Sequence, residues 1–352
     1  MKAVVLEGPD KFTIGEIDKP LCDPYGILLK VKYCGLCGSD LRTIRNGHKN
    51  VKYPAVIGHE VSGEVVETGK EYRGKFKIGD KLAVAPNVYC GKCDFCLNGQ
   101  YEYCDDLKEL AQHWPGGFAE YMAIPPEALQ LGTIQTVPLA LPMEYACVAE
   151  PPSSCLNAQE KLGIGLGDNI LIIGAGPIGS IHTAVAKTRG AEQIIIADIK
   201  DSRLEMAKQF GADHTINSSA VDLVKTVREL TGGKGPNVII TANPFAETQL
   251  QAIELARKSS RIAFFGGLPH GNSVVPIDTN QIHYKGLFVI GTTGFAPRHH
   301  LLSLRLMAAQ RIPGKKLVTH ILNLDSFAEG VHLASEGLAM KVVYKIGGTY
   351  DQ

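Results

Sequence analysis

The chain lacks the features that mark membrane, secreted and nucleic-acid-binding proteins. No apolar run nears the length of a membrane span; Ile170-Leu171-Ile172-Ile173 is typical and only strand-sized. Neither sign of charge dominates: 36 Lys and Arg stand against 36 Asp and Glu, interspersed along the chain. No basic field therefore invites nucleic acid or an anionic membrane surface. The opening Met1-Lys2-Ala3-Val4-Val5-Leu6 has no signal-peptide core or cleavage site. Internal repeats and low-complexity tracts are missing as well. What remains is a globular composition, 45% hydrophobic and 20% charged. Its 352 residues suit two domains, each burying its own core. Nine cysteines without a secretion signal read as reduced thiols and metal ligands, and the expected location is the cytoplasm.

From Met1 to about Val137 the pattern is β-like. Ala3-Val4-Val5-Leu6, Ile27-Leu28-Leu29-Lys30-Val31, Gly63-Glu64-Val65-Val66-Glu67 and Lys81-Leu82-Ala83-Val84 are short and rich in branched residues. Turn clusters such as Pro24-Tyr25-Gly26 and Ile78-Gly79-Asp80 separate them. A compact, mostly β domain or partly open barrel is expected.

Within this half, Cys90, Cys93, Cys96 and Cys104 sit in one loop with glycines and Asn98 to turn it. Four thiolates at this spacing can close on one tetrahedral zinc, and the spacing fits neither ferredoxin pattern. A closed site has no place for substrate, so this zinc reads as structural. A second constellation is open. Cys37 with the Ser39 hydroxyl, His59 beside Glu60, and Glu150 before Pro151 offer a thiolate, an imidazole and carboxylates from three separate stretches. Thiolate, imidazole and carboxylate leave one position of a tetrahedral zinc for water or substrate. Proline after Glu150 predicts an extended backbone there. Taken alone, Ser39 reads equally as the cap of a helix starting at Asp40.

The second half alternates strand and helix. Asn169-Ile170-Leu171-Ile172-Ile173 feeds Gly174-Ala175-Gly176-Pro177-Ile178-Gly179, a helix follows from Ser180 to Thr188, and Gln193-Ile194-Ile195-Ile196-Ala197 ends in Asp198. Strand, glycine loop, helix and a carboxylate after the second strand form a dinucleotide-binding fingerprint. The pyrophosphate would lie over the helix N-terminus. Asp198 would accept hydrogen bonds from the ribose and repel a 2′-phosphate, favouring NAD over NADP. Helices around 202–210, 223–231 and 246–258 alternate with strands at 237–240, 261–265 and 287–290, the order of a parallel doubly wound sheet. A helix at 299–310 and a strand near 341–346 follow.

Together these residues resemble, over essentially the whole chain, the zinc-containing medium-chain dehydrogenases/reductases, in the sorbitol (polyol) and threonine dehydrogenase branch. The carrying motifs are Cys37-Gly38-Ser39-Asp40, Gly58-His59-Glu60-Val61-Ser62-Gly63, the four-cysteine loop, Gly116-Gly117-Phe118-Ala119-Glu120-Tyr121, Ala149-Glu150-Pro151, and the Gly174, Gly176 and Gly179 loop. The resemblance implies a GroES-like, mostly β catalytic domain over 1–153, completed by 295–352. A Rossmann NAD-binding domain over 154–294 is inserted, with the active site in the cleft. It implies Cys37, His59 and Glu150 as catalytic zinc ligands, with Glu60 an alternate ligand or neighbouring carboxylate. Ser39 would take the substrate's alcohol proton as hydride passes to the nicotinamide. Ile178, Asp198, Arg203, Gly266, Gly267, Thr292 and Thr293 match cofactor contacts. Relatives form dimers or tetramers through the Rossmann sheet edge, here near Leu287-Phe288-Val289-Ile290.

Two positions depart from that pattern. Arg42 stands where many relatives carry a histidine, and a guanidinium is a poor proton shuttle. Thr241-Ala242-Asn243-Pro244 replaces the usual Thr-Gly. The run Leu36-Cys37-Gly38-Ser39-Asp40-Leu41 is similar to that of dehydrogenases acting on polyol phosphates such as galactitol phosphate or arabitol phosphate. Arg42 and Arg298, with Arg45, His299 and His300, could then meet a phosphate. The expectation is oxidation of a polyol or polyol phosphate to the ketose; threonine dehydrogenase and a non-catalytic zinc-binding relative are the alternatives. The open site could also prefer another divalent metal.

Overall fold

A computed structural model describes residues 1–269 and 271–347. Contacts divide the chain into two compact units. One holds Met1–Ser153, Phe295–Gln310 and the segment from Leu317; the other holds Ser154–Gly294 and Arg311–Lys316. The stretch Arg311–Lys316, expected with the C-terminal part of the catalytic domain, thus clusters with the second unit.

Strands of the first half are β1 (Lys2–Gly8), β2 (Lys11–Glu16), β3 (Ile27–Gly35), β4 (Glu60–Thr68), β5 (Lys81–Val88), β6 (Lys108–Glu109), β7 (Tyr121–Ile124) and β8 (Gly132–Thr136). The second unit contributes β9 (Asn169–Ile173), β10 (Gln193–Asp198), β11 (His214–Asn217), β12 (Val238–Thr241), β13 (Arg261–Phe264) and β14 (Phe288–Ile290). The chain then returns with β15 (Val318–Asn323) and β16 (Lys341–Lys345). Three helices matter for the site: α1 (Gly38–Asn46), α2 (Glu150–Lys161) and α3 (Pro177–Arg189).

In the first unit one curved sheet runs β15-β16-β3-β4-β5-β6, with β7 on β3 and β8 on β5, while β1 and β2 form a separate hairpin. Its core includes Val4, Leu29, Val61, Leu82 and Met122. Phe118, Phe327 and Tyr344 join it, with ring centroids 5.0–5.6 Å apart. Bulges in the β3–β4 register bend the sheet. This is the GroES-like half-barrel. The second unit is a Rossmann sheet, β11-β10-β9-β12-β13-β14, with every neighbouring pair parallel. Ile170, Ile172, Ile194, Ile196, Val238 and Ile240 are fully buried, as central parallel strands covered on both faces require. The turn entering β9 is locked by charge. Arg261 Nη1 donates to the carbonyls of Leu162 and Gly163 at 2.7 Å, and its Nη2 pairs with Asp168. Asn237 Nδ2 also donates to Asp168, at 2.5 Å.

Two buried histidines give the fold a predictable response to acid. His182, within α3, lies edge-on to Phe265, and His300 stacks near Phe295. Burial pushes both down to about 3. The unfolded chain takes up these protons near the ordinary histidine value of about 6.5, well before the folded chain does. Stability is therefore complete above that pH and falls as the medium is acidified toward the folded value. His182→Gln, which cannot charge, should show a shallower loss of thermal midpoint between neutral and mildly acidic pH. A slope identical to that of the parent would contradict this.

Candidate metal centre and cofactor loop

The open constellation assembles at the ends of three elements. Cys37 is the N-cap of α1, and its backbone N–H donates to Asp40 Oδ2 at 2.9 Å in a capping box. The helix begins at Gly38, so Ser39 lies in its first turn and is not the cap. Glu60 opens β4, and Gly58 just before it has φ +96, where a β-carbon would lie 2.8 Å from the Phe118 ring and 2.9 Å from Cys34 Sγ. Only glycine lets the chain pass there and aim His59 and Glu60 toward Cys37. Donor atoms of Cys37, His59 and Glu60 lie within 4.8 Å of one another.

Asp40, unassigned by sequence reasoning, orients the imidazole: His59 Nδ1 lies 3.1 Å from Asp40 Oδ1. A proton held on Nδ1 by that carboxylate leaves the Nε2 lone pair for a metal. Ser39 Oγ is 3.5 Å from the same Nε2. Burial disfavours a charged His59, but Asp40 and Cys37 outweigh it and raise its pKa well above the ordinary value. Lys341 was missed as well. It is buried on β16, and its Nζ donates to Glu60 Oε1 at 2.5 Å. Burial opposes its charge, yet Glu60 and Cys37 raise its pKa. Glu60 Oε2, also buried, has no hydrogen-bond partner. An orphaned carboxylate oxygen beside a thiolate and an oriented imidazole is a donor set that suits zinc.

Glu150 stands differently from its expected place. It is the first residue of α2 with helical angles, φ −65 and ψ −56, instead of the extended backbone expected before Pro151. The prolines fall in the first turn, where no intrahelical N–H is needed, so the helix starts before them. Glu150 is outside the close donor group, which Glu60 completes. It remains nearby: burial pushes its carboxyl up to about 7, with His59 opposing and Glu60 adding to the rise.

Cys90, Cys93, Cys96 and Cys104 converge as the second donor group. Cys90 Sγ and Cys96 Sγ are 4.0 Å apart, and the Cys90 N–H donates to Cys104 Sγ at 3.2 Å. Backbone N–H groups of Lys92 and Cys93 bring the Cys90 thiol down to about 6, favouring the thiolate a metal needs.

In the Rossmann unit, the glycine loop leads into α3, with Gly176 as N-cap. A β-carbon on Gly179 would meet the Gly174 carbonyl at 1.8 Å, whereas one on Gly176 would meet nothing within 4 Å. The third glycine packs helix on strand, and the second leaves space for a pyrophosphate. Ile178 is half-buried at the start of α3. Asp198 ends β10; its Oδ2 accepts the Ala175 N–H at 2.7 Å and its Oδ1 the Lys200 N–H at 3.0 Å. Each oxygen keeps a lone pair for a ribose hydroxyl. Arg203 is half-buried in the helix after β10, and Thr293 is exposed. Gly266 packs against the Asn243 carbonyl, and Gly267 is open. Thr292 Oγ1 is buried without a partner. The Asn243 departure also acquires a reason: Nδ2 donates to the Ile173 carbonyl at 3.3 Å, while Oδ1 accepts from Thr248 at 2.7 Å. The side chain pins its loop to the end of β9.

Arg42 and Arg45 are exposed on α1, and Arg298 is exposed. His299 and His300 are each 1% exposed inside the helix Pro297–Ala308. His299 Nδ1 accepts the Ala296 N–H at 3.0 Å, and Arg298 Nη1 lies 2.8 Å from Nε2. Core packing has taken both histidines, which removes them as phosphate ligands.

Comparison with known proteins agrees with this geometry. Residues 23–132 match the alcohol dehydrogenase GroES-like domain, and residues 177–308 match the zinc-binding dehydrogenase family. A sorbitol dehydrogenase of Halalkalibacterium halodurans is 32% identical, with 97% of this chain and 98% of that one aligned. The chain belongs to the zinc-binding medium-chain alcohol dehydrogenases. Another relative of this dehydrogenase, an L-threonine 3-dehydrogenase of Pyrococcus horikoshii, is 33% identical over 94% of each chain. The crystal structure of galactitol-1-phosphate dehydrogenase from Escherichia coli superposes with a TM-score of 0.88 at 28% identity, covering 98% of this chain and 100% of that one. The protein is thus a zinc-dependent alcohol/polyol dehydrogenase with a catalytic and a structural zinc site. Among the described residues, no helix is long and apolar enough to cross a membrane.

Proposed function

We propose that this dehydrogenase oxidises a secondary alcohol of a polyol or polyol phosphate to the ketone, with NAD as hydride acceptor. The observation that carries the reading is the Ser39 hydroxyl, 3.5 Å from the His59 nitrogen that faces the metal position. Zinc held by Cys37, His59 and Glu60 supplies Lewis acidity that lowers the pKa of an alcohol, and NAD on the Gly176 loop supplies the acceptor. Within the protein, Asp40 holds the His59 proton on Nδ1, so the ring stays a metal ligand and not a competing base. Ser39 Oγ can accept the alcohol proton and pass it on. Arg42, fixed in charge, cannot continue that relay, so the proton leaves through water or the cofactor ribose. Lys341 balances Glu60 and keeps the carboxylate charged in a buried place.

Arg42 supports the phosphorylated form of the substrate. It is exposed on α1 just beyond Ser39 and has no ion pair among the described residues. The superposed galactitol-1-phosphate dehydrogenase supports it too. The second reading, threonine oxidation, draws on the Pyrococcus horikoshii relative. Turnover of arabitol, arabitol phosphate and threonine, each with NAD and with NADP, separates them. The highest kcat/KM should fall on a polyol or its phosphate with NAD. Threonine as best substrate overturns the reading. Equal use of arabitol and its phosphate, unchanged in Arg42→Ala, removes phosphate recognition. Phe288 and Val289, 58% and 39% exposed on the edge strand β14, support a homodimer or homotetramer joined there; a monomer by sedimentation would dismiss that assembly.

A further inference from the structure

The edge of the Rossmann sheet opposite the glycine loop carries a cleft that the chemistry above does not use. Its volume is about 440 Å³. Asn169, Gln193 and His214, the first residues of β9, β10 and β11, line it together with Lys234 and Arg257 from two loops. Five residue steps along β10 separate Gln193 from Asp198, roughly 16 Å at the rise of a strand. The two loops are joined. A β-carbon on Gly235 would run into the Leu255 carbonyl, so only glycine lets the Lys234 loop close on the turn that carries Arg257. The Gly235 N–H donates to Thr231 Oγ1 at 3.0 Å, and the Arg257 N–H donates to the Pro236 carbonyl at 3.4 Å.

The acids of this cleft are engaged and its bases are free. Asp213 Oδ2 accepts the Ile194 N–H at 2.8 Å, and its Oδ1 lies 3.5 Å from Lys187 Nζ. Glu192 Oε2 accepts from Asn169 Nδ2 at 3.5 Å. The side chains of Lys234, Arg257 and His214 make no hydrogen bond or ion pair among the described residues. Gln193 leaves an acceptor open as well. Its Nε2 donates to the Leu230 carbonyl at 3.3 Å, while Oε1 is buried without a partner. Buried polar atoms are seldom left so, and a hydroxyl donor satisfies this one. A guanidinium fork, an ammonium and an imidazole N–H, all unspent at one cleft, suit the oxygens of a phosphate.

We propose that this cleft is a second binding site, apart from the zinc centre and the cofactor loop, for a phosphate monoester of a small hydroxylated molecule. Lys234, Arg257 and His214 hold the phosphate, and Gln193 Oε1 accepts a hydroxyl of the ester. The assignment does not depend on which alcohol the enzyme oxidises. It asks only that the cleft take the ester in preference to the bare phosphate or the bare alcohol.

The test is isothermal titration of the zinc-loaded enzyme, saturated with NADH so that the cofactor loop is occupied and no alcohol is oxidised. Glycerol 3-phosphate, inorganic phosphate and glycerol are the probes, in phosphate-free buffer. Glycerol 3-phosphate should bind the parent, and Arg42→Ala, altered beside the zinc centre, should keep that binding. Lys234→Ala and Arg257→Ala should each weaken it about 10-fold or more, the loss expected for a hydrogen bond to a charged group. Inorganic phosphate should bind less tightly than the ester, and glycerol not measurably. Neither altered side chain makes a bond in the fold, so thermal midpoints should stay at the parent value. Lys234→Gln and Arg257→Gln, which keep most of the side chain, should lose affinity as well; a loss confined to alanine variants with lowered midpoints overturns the proposal. Binding abolished in Arg42→Ala and unmoved in both cleft variants puts the phosphate at the zinc centre and overturns it too. So does an absence of binding at millimolar ester. Inorganic phosphate bound as tightly as the ester overturns the part given to Gln193.

Discussion

His59→Ala will abolish alcohol oxidation and leave NAD binding nearly intact. The imidazole is one of three donors in the close group, held by Asp40 with Nε2 toward the metal position. Alanine leaves a thiolate and a carboxylate, too few to hold a catalytic zinc tightly. The Lewis acid contributes several kcal/mol to the transition state, so its loss predicts a fall in kcat/KM of ~10³-fold or more. The glycine loop, Asp198 and α3 belong to the other compact unit. NADH fluorescence titration should therefore give nearly the parent affinity. Parent-like turnover would undo the assignment of His59.

The second large effect is on stability. Lys341 and Glu60 form an ion pair with side chains 7% and 0% exposed. Removing one partner strands a charge in the interior and costs about 3–5 kcal/mol. Lys341→Met should lower the unfolding free energy by this order when zinc has been chelated. It should cost less in the zinc-loaded protein, where the metal offers Glu60 another cation. Adding Glu60→Gln to Lys341→Met removes the stranded charge and should restore much of the loss. Urea unfolding of the two single variants and the double variant reads the coupling directly. Additive losses in the metal-free proteins would mean that the pair contributes no coupling.

How much was legible follows from where the information sits. The glycine loop, the four-cysteine loop and the branched, apolar β9 and β10 strands are local patterns and could be read directly. The helix Pro297–Ala308 was anticipated, but His299 and His300, offered with Arg298 as companions at a phosphate, are interior. Short β11, His214–Asn217, carries too little periodicity to stand out. The site itself was only half visible. Glu150 was expected to be extended because proline constrains the residue before it; the helix start overrode that preference. Asp40 could have been suspected from its place three residues after Cys37, the capping-box position. Lys341 left one faint signal, a charge heading the apolar run Val342-Val343-Tyr344. Its partner lies 281 residues away, a separation that only the folded sheet closes.

Zinc content per chain, measured together with turnover, tests the central claim most directly. The account predicts two zinc ions in the parent and one in His59→Ala, the survivor held by Cys90, Cys93, Cys96 and Cys104. Brief chelation of the parent should likewise remove one ion and all alcohol oxidation, and added zinc should return both. Full turnover by protein holding only the cysteine-loop zinc would contradict a catalytic metal at Cys37, His59 and Glu60.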